Sequence, residues 1–441
     1  MESLKLFLAV IGIGVLLYLL VKRYDTRMSL MFVGLALSIL TLHPMDAFAA
    51  FSKQMTSGGL IMAICSSLGF AYVMKFCKCD QHLVALLTKP LTGLGFALIP
   101  LTTIITFLIS IAIPSAAGCS AAVGATLIPA LRSAGVRAEM AAAAILSGTC
   151  AGGLINPGNS HTSMISKMTG LEPMVVNMGH MKYTFIIGLI VAVGMTIMAI
   201  VFKDYSSKFK EEYAKNKQEE AKEEGVNKVN ILYAIAPLVP LLILIAGGLP
   251  AVFPDIKTDP SWSWLTYFSV KVPEAMLIGA LYGLLITLKS PSKICQEFFK
   301  GMGDAYANVL GIIIAAGVFV AGLRATGAID VAVAFLKNSN EFVRWGASFG
   351  PFIMGIVTGS GDAATIAFNE SITPHAIELG YSQVNLGMGA ALTGGIGRTA
   401  SPIAGAAIIC AGLAGVSSIN IAKRTIVPMF ASAVFVALFM L

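Results

Sequence analysis

Charged side chains are scarce in this sequence of 441 residues, of which 12% are Asp, Glu, Lys or Arg. Soluble domains carry about 25% charged residues and about 45–50% apolar ones. Here 56% of the chain is apolar and the mean hydropathy is +0.82. Because so few charges cannot cover a surface that faces water, the composition excludes an ordinary soluble domain and indicates a membrane protein.

The sequence also lacks the motifs that mark soluble enzymes and metal centres. It has no Walker sequence, zinc signature or nucleophile elbow, and its Gly-x-Gly runs follow no strand. The seven cysteines are an odd number and lie mostly within apolar runs, so they predict no disulfide framework. Cys77 and Cys79 favour a surface loop over a metal site, since zinc ligands usually form two spaced pairs. We therefore expect a protein that is not an enzyme, with no catalytic residue, metal or cofactor.

Apolar runs on both sides of one hydrophilic block are long enough to cross a membrane as helices. They predict an all-α integral membrane protein with regions 1–202 and 230–441, joined by a charged cytoplasmic linker at 203–229. The predicted full spans are 4–22, 28–44, 56–76, 139–168 and 182–202 in the first region, and 230–249, 272–289, 303–323, 383–413 and 421–440 in the second.

Two stretches, 115–170 and 360–415, resemble copies of one element displaced by 245 residues. The displacement relates three pairs of residues: Pro129 and Pro374, Pro157 and Pro402, and Gly170 and Gly415. Each copy includes the returning arm of an apolar pair, predicted at 93–134 or 346–378, and then a broken run, 139–168 or 383–413. Paired, interrupted hydrophobic segments in corresponding halves indicate the binding site of a secondary transporter.

Basic residues set the predicted orientation, because cytoplasmic loops carry an excess of Lys and Arg. Basic clusters occur at 22–27, at 75–89, in the linker, at 289–300 and at 423–424. They share one side only if the apolar pairs are hairpins that return to the side they left. Each half then has about five transmembrane helices, one of them broken, plus a re-entrant hairpin. Because each half has an odd number of full spans, the two halves cross the membrane in opposite directions, which predicts an inverted repeat with both termini periplasmic. The net charge of +7 comes mostly from these basic loops and does not indicate a nucleic-acid partner.

The two hairpin tips and the two breaks, at 152–162 and 394–402, supply the candidate substrate groups. Unpaired backbone groups in hydrocarbon are costly, so irregular backbone at membrane depth must pack in protein or line a wet cavity. Glycine and proline permit such breaks, and half-helices that start after them present free N–H groups suited to carboxylates. The predicted substrate-binding residues are Ser115, Gly118, Asn156, Asn159, Ser360, Gly361, Arg398, Thr399 and Ser401.

Arg398 lies within the second break, where an arginine is costly unless it faces a cavity or an anion. Its planar fork suits a carboxylate, and the alternative is a structural ion pair with Asp362 or Glu370. Asp362, at the second tip, is the candidate coupling residue, and it could bind a proton, help to hold a cation or neutralise Arg398. His161 is a weak candidate that could equally be a packed imidazole. The other weak candidates are Glu370, Asp304 and Asn308.

The pattern from Ser115 to Pro129 and from Gly152 to Pro157, with its second copy, resembles the ion transporter superfamily of inverted-repeat carriers. Within it the chain is most similar, over essentially its whole length, to the DcuC family of anaerobic C4-dicarboxylate carriers. The resemblance implies a homodimer in the bacterial inner membrane that moves fumarate, succinate, malate or aspartate with alternating access. Transport would occur by exchange, efflux or proton-coupled symport.

The hairpin tips bear on the coupling ion. In sodium-coupled relatives each tip reads Ser-Asn-Thr, whereas here the tips read Ser115-Ala-Ala and Ser360-Gly-Asp. The resemblance therefore favours protons over sodium, with Asp362 as the proton carrier. Two alternatives remain open, a sodium-coupled carrier of another organic anion, such as a tricarboxylate, and an anion channel.

Overall fold

The computed structural model describes residues 2–22, 24–56, 58–88, 95–113, 115–216, 229–252, 262, 270–331 and 340–441. Positions 93–94 and 114 of the predicted first hairpin and 217–228 of the predicted linker lie outside this set. Within it the chain is almost wholly helical, with an isolated β-bridge between Val136 and Tyr205. The predicted all-α class is confirmed.

The helices of the first half carry the labels α1 to α11. They are α1 (Glu2–Val21), α2 (Thr26–Leu40), α3 (Pro44–Met55), α4 (Gly58–Phe76), α5 (Cys79–Thr88), α6 (Leu98–Ala112), α7 (Ala116–Ser133), α8 (Ala138–Gly148), α9 (Ser160–Thr169), α10 (Pro173–Val201) and α11 (Ser207–Asn216). The helices of the second half are α12 (Ile231–Ile235), α13 (Val239–Val252), α14 (Val272–Thr287), α15 (Pro291–Ala305), α16 (Gly311–Ala325), α17 (Asn340–Thr358), α18 (Gly361–Ser371), α19 (Gln383–Thr399), α20 (Gly405–Ala414) and α21 (Ser418–Phe435).

Six helical stretches of the described chain are long and apolar enough to cross a membrane. They are Gly95–Ala112, Ala138–Thr169, Pro173–Val201, Ile231–Pro250, Pro291–Ala325 and Ser418–Met440. A seventh arises if Ile61–Phe76 and Cys79–Leu87, bent by 77°, form one span. The predicted spans 4–22, 28–44 and 272–289 form shorter apolar helices, whereas Gly95–Ala112, predicted as a hairpin arm, has the length of a full span.

Both predicted broken runs are interrupted. In the first, α8 ends at Gly148 and α9 starts only at Ser160, with a 3-10 turn at Gly152–Ile155 between them. In the second, α19 ends at Thr399 and α20 starts at Gly405. Pro157 and Pro402 fall inside these gaps, where a ring without an N–H group removes one donor from a helical ladder.

Helix starts in the two halves recur at the spacing found in the sequence. Four helices, α7 to α10, begin at positions 116, 138, 160 and 173, and α18 to α21 begin at 361, 383, 405 and 418, each 245 positions later. Both α9 and α20 end at a glycine in the left-handed region, Gly170 at φ 71° and Gly415 at φ 66°. The displacement therefore relates helix boundaries as well as residue types.

The helices α6 and α7 form a hairpin whose open ends meet at Tyr205. The ring of Phe96, just before α6, lies 5.5 Å from the Tyr205 ring, and Val136, just after α7, forms the β-bridge with Tyr205. Since Tyr205 follows α10 closely, the hairpin begins and ends at the end of the molecule where α10 terminates.

Buried apolar residues form three clusters. The largest joins α6 to α10 with α19, α20 and α21, so one body carries both interrupted runs. The second cluster centres on α1, α2 and α16, and the third on α4 and α14. In these two flanking clusters the halves pack against each other, α2 on α16 and α4 on α14 and α15. Close packing at Gly34 makes the first contact tight, because a Cβ there would lie 2.6 Å from the Phe319 Cα atom.

A buried ion network fastens one end of the largest body. The Asp204 carboxylate, 0% exposed, accepts from Arg424 Nε at 2.6 Å and from Arg424 Nη2 at 2.8 Å. The Asp204 carbonyl oxygen also accepts from the backbone N–H of Arg137 at 2.8 Å. These bonds join the turn after α7, the end of α10 and the first turns of α21.

We expect Asp204→Asn to lower the thermal unfolding midpoint of the purified protein in detergent. The substitution leaves Arg424 buried without its counter-charge, which costs about 3–5 kcal/mol in comparable pairs. Glu297→Gln is the matched control, because it removes the partner of Lys300 from an ion pair at 3.8 Å whose lysine is largely exposed. Equal midpoints for Asp204→Asn and the wild type would contradict the stabilising role of the network.

Candidate functional site

Two contacts join the first break to the second half of the chain. His161, in the first turn of α9, has its Nε2 atom 2.9 Å from Asp362 Oδ1 in the first turn of α18. Arg398, near the end of α19, donates from Nη2 to the carbonyl oxygen of Thr149 at 3.0 Å, just after α8. The second hairpin tip and the two interruptions, far apart in sequence, thus meet in one place.

The His161–Asp362 pair has one buried and one open member. The His161 side chain is 6% exposed, whereas that of Asp362 is 56% exposed. The Nδ1 atom of His161 is buried and has no hydrogen-bond partner in the described part of the chain. Its other ring nitrogen contacts the carboxylate, so His161 does more than pack against its neighbours. The pair therefore presents an accessible carboxylate beside an imidazole that is shielded from water.

Arg398 is half-buried and forms no ion pair with a carboxylate of the described residues. No carboxylate of the described residues lies within 4 Å of its guanidinium, and its one hydrogen bond there is the Nη2 donation to Thr149. Neither predicted structural partner forms an ion pair with Arg398: Asp362 contacts His161 and acts on Arg398 through longer-range electrostatics, and Glu370 accepts from Gln54 Nε2 at 3.1 Å. The Nε and Nη1 donors of Arg398 therefore remain for a ligand, in the fork geometry that carboxylates accept.

Glycines let the backbones around Arg398 approach each other closely. A Cβ at Gly361 would lie 2.7 Å from the carbonyl oxygen of Gly394, and one at Gly395 would lie 2.7 Å from that of Cys150. Any side chain at these positions would force the second hairpin or the first break away from α19. Gly361, predicted as a substrate contact, is therefore a packing position in this structure.

The two predicted asparagines hold the first break in shape. Asn156 Nδ2 donates to the carbonyl oxygen of Ile111 at 2.9 Å, and Asn156 Oδ1 accepts from the N–H of Gly158 at 2.9 Å. Asn159 Nδ2 donates to the carbonyl oxygen of Gly153 at 3.2 Å, and its Oδ1 atom caps α9. The Asn156–Ile111 bond ties the end of α6 to the break, so these amides position the start of α9.

The two tip serines differ in their local bonds. Ser115 Oγ caps α7 by accepting from the N–H of Gly118 at 3.2 Å. The Ser360 side chain makes no such cap on α18, and Thr358 Oγ1 instead accepts from the Ser360 N–H at 3.2 Å. The Ser360 hydroxyl is thus not engaged in capping its helix.

The remaining predicted contacts of the second break are fully buried. Thr399 and Ser401 are each 0% exposed. Thr399 Oγ1 donates to the carbonyl oxygen of Gly395 at 2.9 Å, and Ser401 Oγ accepts from the N–H of Ile403 at 3.4 Å. In this conformation both side chains support the backbone and neither faces open space.

Asp304 and Asn308 lie in a separate cluster between α15 and α16. Asn308 Nδ2 donates to Asp304 Oδ1 at 2.6 Å, beside a π-helical turn at Tyr306–Leu310. Arg27 Nη1 donates to the carbonyl oxygen of Ala307 in this turn at 2.9 Å. These two weak candidates bond to each other, and neither is bonded to Arg398.

A buried polar chain behind the first break was not predicted. Thr162 Oγ1 donates to Asn177 Oδ1 at 3.1 Å, and His180 Nε2 lies 3.4 Å from the same oxygen. His180 Nδ1 lies 2.9 Å from Thr184 Oγ1. All four side chains are 0% exposed. The signal was present as Asn177, His180 and Thr184, three polar residues at helical spacing within an apolar run.

The described residues contain no group of three or more His, Cys, Asp or Glu side chains that could hold a metal ion. The groups that converge at the site are instead one guanidinium, one imidazole–carboxylate pair and the starts of two helices. Helix starts carry partial positive charge and free N–H groups. With Arg398 they form a setting that favours an anion.

Comparisons with known proteins agree with this reading of the chain. Residues 15–441 match the model of the family C4-dicarboxylate anaerobic carrier, DcuC. The chain is 26% identical over 388 residues to the anaerobic C4-dicarboxylate transporter DcuC of Escherichia coli K12, covering 86% of this chain and 79% of the relative. It is 56% identical over 289 residues to an uncharacterized transporter of Haemophilus influenzae, covering 65% of this chain and 100% of the relative.

A solved structure shares the fold. The YdaH transporter of Alcanivorax borkumensis, described as having an unusual topology, superposes with a TM-score of 0.59 at 12% identity, covering 89% of this chain and 86% of that one. The predicted resemblance to the DcuC family is confirmed by the family match over residues 15–441. Interrupted apolar helices, an unpaired arginine between them and a family match over nearly the whole chain lead to one conclusion: this multi-pass membrane protein is a transporter and belongs to the DcuC family.

Proposed function

We propose that the protein is a secondary active carrier that moves C4-dicarboxylates, such as fumarate, succinate, malate and aspartate, across the bacterial inner membrane. The observation that carries this proposal is the guanidinium of Arg398 between two interrupted helices, which has one backbone hydrogen bond and no ion pair among the described residues. An arginine at membrane depth is costly unless it faces a cavity or an anion. Relatives named as C4-dicarboxylate transporters support the substrate class.

The proposed binding mode uses both ends of the dianion. One carboxylate lies on Arg398 Nε and Nη1, and the other faces the free N–H groups at the start of α9, near Asn156 and Ser115. Removing a dianion from water is costly unless donors replace its hydration. Because Asn156 already binds the Ile111 carbonyl, its role in this arrangement is to orient the N-terminal end of α9.

We propose that the His161–Asp362 pair couples transport to protons. Both tips lack the asparagine and threonine of sodium-coupled relatives, and the Asp362 side chain is 56% exposed. A proton taken up by the pair removes negative charge beside Arg398, which favours binding of the dianion. Protons rather than sodium would then drive uptake. Exchange of one dicarboxylate for another would proceed without a change in the protonation of the His161–Asp362 pair.

The architecture proposed for this cycle is an inverted repeat of 1–202 and 230–441, with the linker 203–229 cytoplasmic and both termini periplasmic. The recurring helix starts support the repeat, and the return of the α6–α7 hairpin to Tyr205, at the start of the linker, supports re-entry. Alternating access then moves the largest body relative to the flanking helices of both halves. A homodimer formed by the flanking helices completes the proposal.

Arg398→Ala should abolish uptake of labelled succinate into proteoliposomes preloaded with fumarate, while Arg398→Lys should raise the KM about tenfold because a lysine lacks the planar fork. Gel filtration in detergent checks that each variant is folded. The control is Arg132→Ala, which removes an arginine that stacks on Tyr213 at 4.4 Å, next to the linker. Wild-type uptake by Arg398→Ala would refute the role of Arg398.

Asp362→Asn should lose succinate accumulation driven by an inward proton gradient and retain succinate–fumarate exchange. The amide cannot cycle a proton with His161, whereas exchange needs no net proton movement. Asp304→Asn is the control, since its carboxylate belongs to the separate cluster with Asn308. Proton-driven accumulation by Asp362→Asn at the wild-type level would contradict the coupling role, as would accumulation in the wild type that depends on sodium.

A further inference from the structure

A cavity of about 460 Å³, lined by charged and apolar side chains, lies beside the site just described. Four helices line it: α3 and α16 from a flanking cluster, and α9 and α18, which carry His161 and Asp362. Its size falls within the range of small-molecule sites in proteins. A C4-dicarboxylate is small enough to occupy the cavity together with part of its hydration water.

Three cations from three different helices face this cavity. They are Lys53 on α3, Lys167 on α9 and Arg324 on α16, and all three are exposed. No carboxylate of the described residues lies within 4 Å of any of them. Positive charges around one concave space raise the local concentration of anions when they outnumber the negative ones.

Two carboxylates line the same cavity and leave the balance positive. Glu370 accepts from Gln54 Nε2 at 3.1 Å and interacts electrostatically with all three cations. Asp46 lies 3.8 Å from His43, outside hydrogen-bond range of the cations. With three positive and two negative side chains, the cavity has a surplus of positive charge. Methionine and alanine side chains form part of the wall between the charged groups.

Two helices, α9 and α18, connect the cavity with the His161–Asp362 pair. Lys167 follows His161 by six residues on α9, and Glu370 follows Asp362 by eight on α18. At a rise of about 1.5 Å per residue, these separations are roughly 9 and 12 Å. Since α9 leads directly into α10, which runs back to Tyr205, the cavity lies at the end of the molecule opposite the linker.

We propose that this cavity is a vestibule that captures dicarboxylate dianions and delivers them to Arg398, an inference that rests on the proposed function. Lys53, Lys167 and Arg324 hold the hydrated anion by charge. Glu370, which lines the cavity, keeps the anion from binding too tightly to leave. The vestibule acts on the rate of association, so it governs the KM and its dependence on salt and leaves turnover unchanged.

The test measures the charge of the cavity without relying on any substrate. Ala49, an exposed lining residue, is replaced by cysteine in a Cys295→Ser background, because the other six cysteines are buried. The rates of modification by an anionic and a cationic methanethiosulfonate reagent are then compared. Replacing Lys53, Lys167 and Arg324 by glutamine should lower the ratio of anionic to cationic rates about tenfold, from screened Coulomb interactions at these separations.

The matched control replaces three exposed lysines outside the cavity, Lys208, Lys293 and Lys423, by glutamine, and should leave the ratio unchanged. An unchanged ratio in the cavity variant would overturn the vestibule whether or not succinate is the substrate. A wild type that transports no C4-dicarboxylate would instead refute the proposed function, and the thiol measurement would still decide the charge of the cavity.

In transport, the cavity variant should raise the KM for succinate severalfold, keep kcat, and lose most of the dependence of the KM on ionic strength. Folding is checked by gel filtration beside the control variant. A lower kcat with an unchanged KM would overturn the vestibule, because it would place the three cations in the transport step itself.

Discussion

The cost of unpaired polar groups in hydrocarbon governs the centre of this protein. Two apolar helical runs are interrupted, and in a membrane protein their free backbone groups must find partners in protein or water. The structure meets this requirement by packing the second hairpin tip against α19 through glycine and by tying the first break to α6 through Asn156. Arg398, whose fork has one backbone partner, and the partnerless Nδ1 atom of His161 lie beside these contacts.

Much of this arrangement could be predicted from the sequence. The displacement of 245 residues, read from prolines and glycines, anticipated where four pairs of helices begin. The prolines marked the interruptions because their rings cannot continue a helical ladder. Arg398 stood out because a charge among glycines in an apolar run has few structural explanations.

Other features depend on packing between distant segments, which local pattern does not encode. The contact of His161 with Asp362 joins residues 201 positions apart, and each appeared in the sequence as an isolated polar residue. Thr399 and Ser401 looked like substrate contacts but are fully buried, because neighbouring helices close over them. The cavity could not be predicted from the sequence, because its three cations come from helices that are far apart in the chain, α3, α9 and α16.

We propose that Arg398, which lies between the two interruptions, makes this member of the family a carrier of C4-dianions. Counterflow with the wild-type protein tests the proposal: labelled succinate is added outside proteoliposomes that contain unlabelled fumarate, and its initial uptake is followed as its concentration rises. We predict saturable uptake that requires internal fumarate. Flux that rises linearly with concentration and ignores internal fumarate would indicate a channel and contradict the account.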